Sequence, residues 1–324
     1  MLAVPDLVEQ IKDAEARIRA YVRETPLERS AYVSGLGGAN VYLKLENLQH
    51  TGSFKARGAM NKLLALSGSE RGRGVVAAST GNHGAAVARS AAEIGVPAVV
   101  FVPEDASPSK LRAITQFGAA VHHHGDDCAV TEVHAREYAR RHEMPYISPY
   151  NDPLVVAGQG TIGVELARQL DHIDAVFVSL GGGGMISGTA GYLKSVQPQV
   201  RVVGCSPENS QVMIQSVKAG KILDIPSLPT LSDGTAGGVE DGAITFDLCL
   251  ALVDEYVTVT EDEIAETLRT LIDTHHMLIE GAAAVAVASY VRLRERFVGQ
   301  NVVIVLCGGN IGLDTLKAVL RPAR

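Results

Sequence analysis

From Val75 onward the chain alternates strand-like and helix-like segments almost without a break, and this alternation constrains the fold more than any other feature. The pattern reads as strand 75–78, helix 82–94, strand 98–102, helix 109–117, strand 120–123 and helix 129–141, a βαβαβα unit. Neighbouring parallel strands need a crossover between them, so such a run implies a parallel sheet with helices over its faces. A second series repeats the scheme with helix 154–170, strand 175–179, a glycine loop, helix 185–196, strand 200–205 and helix 212–219. Strand 256–259, a helix capped by Thr260 with Glu263 completing a capping box, the Ala-rich helix 281–291 and strand 302–306 follow. Ahead of both series lie a helix over 5–22, broken by Thr25-Pro26-Leu27, and a strand over 41–45. The chain has 324 residues, and single cores stop growing near ~250–300. The fold class expected is therefore α/β, with two doubly wound open-sheet lobes and a ligand cleft at the carboxyl ends of the strands. Residues 220–241, with Pro226, Pro229, Gly234, Gly237 and Gly238, read as a long irregular segment of the kind that usually serves function.

A net charge of −7 spread along the chain argues against a nucleic-acid partner and leaves room for one anionic pocket ligand. Cys128, Cys205, Cys249 and Cys307 stand far apart without CxxC spacing. That suits a reducing compartment better than a disulfide framework or a structural zinc site. Pro5 and Asp6 leave no space for a signal-peptide apolar segment. The longest apolar run, 281–291, is shorter than the ~20 residues a membrane span needs. A soluble cytoplasmic protein with no membrane or nucleic-acid partner is the expectation.

Four stretches carry chemistry. Gly52-Ser53-Phe54-Lys55-Ala56-Arg57-Gly58-Ala59 sets a lysine among small residues at a helix start, where a flat ring can approach closely; taken alone, Lys55 and Arg57 would be solvated cations. Ser179-Leu180-Gly181-Gly182-Gly183-Gly184-Met185 follows a strand and opens a helix, and its successive amides suit a phosphate. No Gly-Lys-Ser/Thr follows, and Ser187 stands where a dinucleotide fingerprint needs its third glycine, so a tight structural turn is the competing reading. Ser79-Thr80-Gly81-Asn82-His83-Gly84 gathers Ser, Thr and Asn at another helix start, either to cap it or to bind a carboxylate and a phenolic oxygen. Cys307 ends the last strand and Glu280 heads the Ala-rich helix, where an inert buried thiol and a charge at the positive helix end are the simpler readings. His122-His123-His124 looks metal-binding, but neighbours on a strand face opposite ways, and no metal is expected.

Together, and in this order along nearly the whole chain, these motifs resemble the fold-type II pyridoxal-phosphate enzymes, which are tryptophan synthase beta-like, in their threonine/serine dehydratase and serine racemase branch. The Gly-Gln-Gly-Thr-Ile-Gly segment from Gly158 and Asp233-Gly234 belong to the same resemblance. It implies pyridoxal 5'-phosphate held as an imine on Lys55 beside Phe54, with its phosphate on Gly181, Gly182, Gly183, Gly184 and Met185. Asn82 would bond the phenolic oxygen, Cys307 would contact the pyridine nitrogen, and Glu280 would border the ring. Ser79, Thr80, Gly81, Asn82 and His83 would receive the substrate, with Lys55 and Thr80 as catalytic residues. Residues 1–72 and 151–324 would form the large cofactor-binding domain and 73–150 a small βαβα domain. A homodimer or homotetramer is also implied.

Departures from the family pattern select the branch. Serine racemases carry Ser where this chain has Thr80, and their carboxylate metal ligands fall near Ser206 and Val212. Cysteine synthases carry a second Thr where this chain has His83. The expected activity is dehydration and deamination of a small β-hydroxy amino acid, L-threonine or L-serine, to a 2-oxo acid and ammonia. The regulatory domain of the allosteric threonine dehydratases is expected to be absent. Hydroxyectoine-utilisation or 3-hydroxyaspartate dehydratase, serine racemase and a non-catalytic cofactor-binding protein are the alternatives.

Overall fold

The computed structural model describes residues 3–321. Its strands are β1 (Leu27–Arg29), β2 (Asn40–Lys44), β3 (Val75–Ala78), β4 (Ala98–Val102), β5 (Ala120–His123), β6 (Ala175–Ser179), β7 (Arg201–Pro207), β8 (Glu255–Val259) and β9 (Asn301–Val305). They form two sheets, a three-stranded one ordered β3-β4-β5 and a six-stranded one ordered β1-β2-β9-β6-β7-β8. Every pairing is parallel except β1 with β2. The alternation read from the sequence thus builds the mixed α/β architecture expected, with the first series in the small sheet and the second in the large one.

The central strands explain why the sequence pattern was so readable. β6 (Ala-Val-Phe-Val-Ser) is buried along its whole length, as a parallel strand covered on both faces must be, so its run is continuously apolar rather than alternating. Helix Gly281–Leu293 fits closely because its first eight residues are all Gly, Ala or Val, and all eight are buried. Phe177 meets Tyr290 and Phe297 edge-on in the same core, at ring-centroid distances of 5.6 and 5.3 Å. The capping box at Thr260 and Glu263 is present. Four elements lie outside the sequence expectation: the short edge strand β1 and the helices Ala31–Gly37, Gly68–Arg73 and Ile244–Leu252. Helix Leu313–Leu320, which follows β9, is a fifth element outside that expectation. Among the described residues no helix is long and apolar enough to cross a membrane.

Helix Pro153–Gln169 is the element that brings the two halves of the site together. A Cβ on its Gly158 would lie 2.6 Å from Gly58 Cα, and one on Gly160 would lie 3.0 Å from Gly188 O. The helix that starts at Lys55 and the helix that follows the tetraglycine loop therefore press against the same backbone. The Gly-Gln-Gly-Thr-Ile-Gly segment is the contact that makes this possible.

Candidate active site

Lys55 opens helix Lys55–Ala65, and the loop that carries it is tied at its base. Arg57 donates from Nε to Glu46 Oε2 at 2.8 Å and from Nη2 to Glu46 Oε1 at 2.7 Å. Glu165, on helix Pro153–Gln169, accepts from both terminal nitrogens of Arg57 at 2.7 and 2.8 Å and from Lys44 Nζ at 2.6 Å. All four side chains are fully buried. Two cations thus face two carboxylates out of water, with the planar guanidinium satisfying both acids at once. Arg57 is no solvated cation but the centre of this network.

Lys55 itself turns into the cleft. Its Nζ donates to Pro149 O at 2.8 Å and lies 5.1 Å from the centre of the Phe54 ring. Burial lowers the ammonium to about 8, with Cys307 and Glu280 opposing the shift. Neutral amine is therefore accessible near neutral pH, as a nucleophile and base requires.

The tetraglycine loop leaves β6 and starts helix Gly184–Val196, which has no side-chain cap. Its N-terminal amides are therefore open to an anion. Gly183 sits at φ 85°, and a Cβ on Gly181 would stand 2.8 Å from Thr235 O. On Gly182 it would stand 2.5 Å from the Tyr150 ring. Glycine is needed at Gly181 and Gly182 for space and at Gly183 for its positive φ.

The side chains of the Ser79–Gly84 loop do not cap its helix. The cap of Asn82–Glu93 is Gly81, with no side-chain bond, while Ser79 Oγ accepts the Gly81 N–H at 3.1 Å. Asn82 Nδ2 donates to both oxygens of Glu280 at 2.9 and 3.0 Å, and its Oδ1 accepts from Asn310 Nδ2 at 2.7 Å. His83 Nε2 meets Ile147 O at 2.7 Å, which assigns the proton to that nitrogen. Burial, and then Lys55, push its imidazole down to about 3, so the ring stays neutral. Glu280 is the N-cap residue of its helix, as expected, but makes no cap bond; it accepts from Asn82, from the Asn310 N–H at 3.2 Å and from the Cys307 thiol at 3.8 Å. Burial raises the Glu280 carboxyl. Burial and the Glu280 charge raise the Cys307 thiol well above its ordinary range, so it remains protonated.

All of these elements open onto one cleft of about 1590 Å³. Phe54, Lys55, Ser79, Thr80, Gly81, Asn82, His83, Gly181, Gly182, Gly183, Gly184, Met185, Glu280 and Cys307 all line it. The sequence reading missed Tyr150, whose ring covers Gly182, and Pro149, whose carbonyl holds Lys55. It also missed that the irregular segment reaches the opposite wall, through Asp233 to Lys110 at 3.4 Å and Glu240 to Arg136 at 2.9 Å. The histidine run lies on the small sheet: His124 stacks on His134 at 3.6 Å, and His123 turns toward Pro103 O. Among the described residues no group of three or more His, Cys, Asp or Glu is placed to hold a metal ion.

A phosphorylated aromatic aldehyde fits this site on the protein's own terms. The cradle has no room for a Cβ at Gly181 or Gly182 and leaves amides for the phosphate, a lysine held near 8 suits an aldehyde, and a protonated thiol and an asparagine border the space between.

Known proteins agree. The family described as "Pyridoxal-phosphate dependent enzyme" matches residues 18–308. An L-threonine ammonia-lyase of Thermotoga maritima is 40% identical over 97% of this chain and 78% of its own. The processed form of threonine deaminase isoform 2 from Solanum lycopersicum superposes with a TM-score of 0.94 at 32% identity, covering 98% of this chain and 94% of that one. Maize serine racemase superposes with a TM-score of 0.91 at 30% identity, covering 96% and 95%. The chain therefore belongs to the pyridoxal-phosphate dependent enzymes, and pyridoxal 5'-phosphate is its cofactor.

Proposed function

We propose that this enzyme dehydrates and deaminates a small β-hydroxy amino acid, L-threonine or L-serine, releasing a 2-oxo acid and ammonia. The observation that carries this reading is the opening of three structures onto one cleft: the Lys55 amine, the glycine cradle and the Ser79–His83 loop. Relatives named for threonine deamination support the choice of substrate.

Pyridoxal 5'-phosphate, when bound, supplies an aldehyde for the amine and a conjugated ring that accepts electron density from the bond to the Cα proton. The protein's part is to bind, orient and move protons. Lys55 would hold the cofactor through its amine and, as a free amine, would take the Cα proton; burial lowers that amine to about 8. Gly181, Gly182, Gly183, Gly184 and Met185 hold the phosphate through backbone amides. Ser79, Thr80, Gly81 and Asn82 receive the substrate carboxylate, with Thr80 supplying a hydroxyl. His83, neutral and bonded to Ile147, fixes the end of that loop rather than exchanging protons near neutral pH. Cys307, kept protonated by burial, would offer the bound cofactor's ring a neutral partner rather than a charged one. We assign 1–72 and 151–324 to a large domain and 73–150 to a small one. A cytoplasmic homodimer or homotetramer is proposed on family resemblance.

The test is 2-oxo acid release from L-threonine, L-serine, 3-hydroxyaspartate and a hydroxyectoine-derived amino acid in separate assays, with Lys55→Ala as control. Rapid release from L-threonine or L-serine that vanishes in the control supports the reading. Release confined to one of the other two moves the substrate. D-amino acid without oxo acid makes the enzyme a racemase, and binding without turnover on any of the four overturns the lyase assignment.

A further inference from the structure

Tyr150 sits at the meeting point of the cleft's two working parts and has no role in the reading above. It directly follows Pro149, whose carbonyl accepts the Lys55 ammonium at 2.8 Å. Its backbone stands 3.1 Å from where a Gly184 Cβ would lie, and its ring 2.5 Å from where a Gly182 Cβ would lie. One residue therefore touches the lysine's partner and two of the four cradle glycines. The turn that carries it is rigid. Ser148 Oγ accepts the Asn151 N–H at 3.0 Å, Asn151 Oδ1 accepts the Ile244 N–H at 2.9 Å, and Asp152 caps the next helix through Leu154 N at 2.8 Å.

The hydroxyl is committed on one side only. Its oxygen accepts the backbone N–H of Glu240 at 2.9 Å, and among the described residues its own proton has no acceptor. Glu240 is held in turn by Arg136 at 2.9 Å. Burial pushes the phenol up to about 12, so it stays protonated throughout the working range. A permanently protonated O–H on a ring that packs against an anion cradle and lines the same cleft, with its acceptor side occupied, is a donor open to a charged acceptor.

We propose that the Tyr150 hydroxyl is a side-chain donor to the cofactor phosphate, completing a cradle otherwise built of backbone amides. The proposal rests on the assignment of Gly181–Gly184 as the phosphate site. It also explains the shape of the loop: a side chain on Gly182 would displace the Tyr150 ring, so glycine there serves the tyrosine as well as the phosphate.

The test uses Tyr150→Phe, which keeps the ring's packing and removes only the hydroxyl. Apoprotein is titrated with pyridoxal 5'-phosphate and, separately, with pyridoxal, which lacks the phosphate; the phosphorus-31 resonance of the holoprotein is recorded for both forms of the enzyme. A hydrogen bond to a charged group predicts about tenfold weaker binding of pyridoxal 5'-phosphate by the variant. Pyridoxal affinity is expected to be unchanged and the phosphorus resonance displaced. If wild type prefers the phosphorylated ligand but Tyr150→Phe alters neither its affinity nor the resonance, the cradle stands and the tyrosine's part in it is refuted. Equal loss for both ligands places the effect on the ring or lysine side and also refutes it. If wild type itself binds both ligands equally, the phosphate assignment of Gly181–Gly184 fails and the proposal with it.

Discussion

Replacing Arg57 with methionine removes the cation at the centre of the buried network while keeping an apolar chain of similar length. Glu46 then loses its bidentate partner and Glu165 loses two of its hydrogen bonds, while Lys44 stays on Glu165. Two carboxylates would be left with the buried Lys44 and the partly exposed Arg19, both on Glu165, so Glu46 would lose its cation, and removing one partner of a buried pair costs about 3–5 kcal/mol. That is a large part of a domain's total stability of about 5–15 kcal/mol. The control is Arg168→Met: Arg168 pairs with Glu15 and Glu24 but is nearly half exposed, so its loss costs under about 1 kcal/mol. Urea denaturation of both variants, followed by far-UV circular dichroism, measures the difference. Equal midpoints for the two would refute the view that the Lys55 loop is clamped from beneath. The pH dependence has a definite sign. Arg57 and Lys44 hold the Glu165 carboxyl down to about 2 from an ordinary 4.5, so its contribution is complete above about 4.5 and is lost as pH falls toward 2. Arg57→Met should flatten that acid limb.

Other consequences follow from single residues. The His83 ring, held at about 3 by burial, should show no titration between pH 5 and 8 by NMR, and its buried neutral form should cost stability as pH falls from about 6.5 toward 3. Lys55 lies near 8, so the rate at which apoprotein captures the cofactor should rise with pH and level off above about 8, read by visible absorbance. Gly183→Ala must adopt φ 85° and press a methyl 3.0 Å from Cys249 Sγ and Thr245 Cβ; it should weaken cofactor binding and lower thermal stability by about 1–3 kcal/mol.

How far the sequence carried the account can be seen at particular residues. Strands such as 98–102 and 175–179 were readable because burial on both faces leaves an uninterrupted apolar run bounded by turn residues. Helix Ile244–Leu252 was not, because Ile-Thr-Phe-Asp-Leu-Cys-Leu has no helical stripe and is rich in residues that favour strands. β1 has only three residues, too few for any period. Within the site, Lys55, Asn82 and the four glycines announced themselves through local composition. Arg57, Glu46, Glu165 and Lys44 did not, because a charged residue reads as exposed until its partners, up to 121 positions away, are known to converge. Tyr150 had no signal beyond its place before the Asn-Asp-Pro helix start, and the Pro149 carbonyl is backbone, invisible to any reading of side chains.

The central claim is that Lys55 is the residue that carries the cofactor. Reduction of the cofactor-loaded protein with borohydride, followed by proteolysis and mass spectrometry, tests it most directly. A single pyridoxyl adduct on the peptide containing Ser53-Phe54-Lys55 is the predicted result. An adduct on any other lysine, or none, would contradict the account.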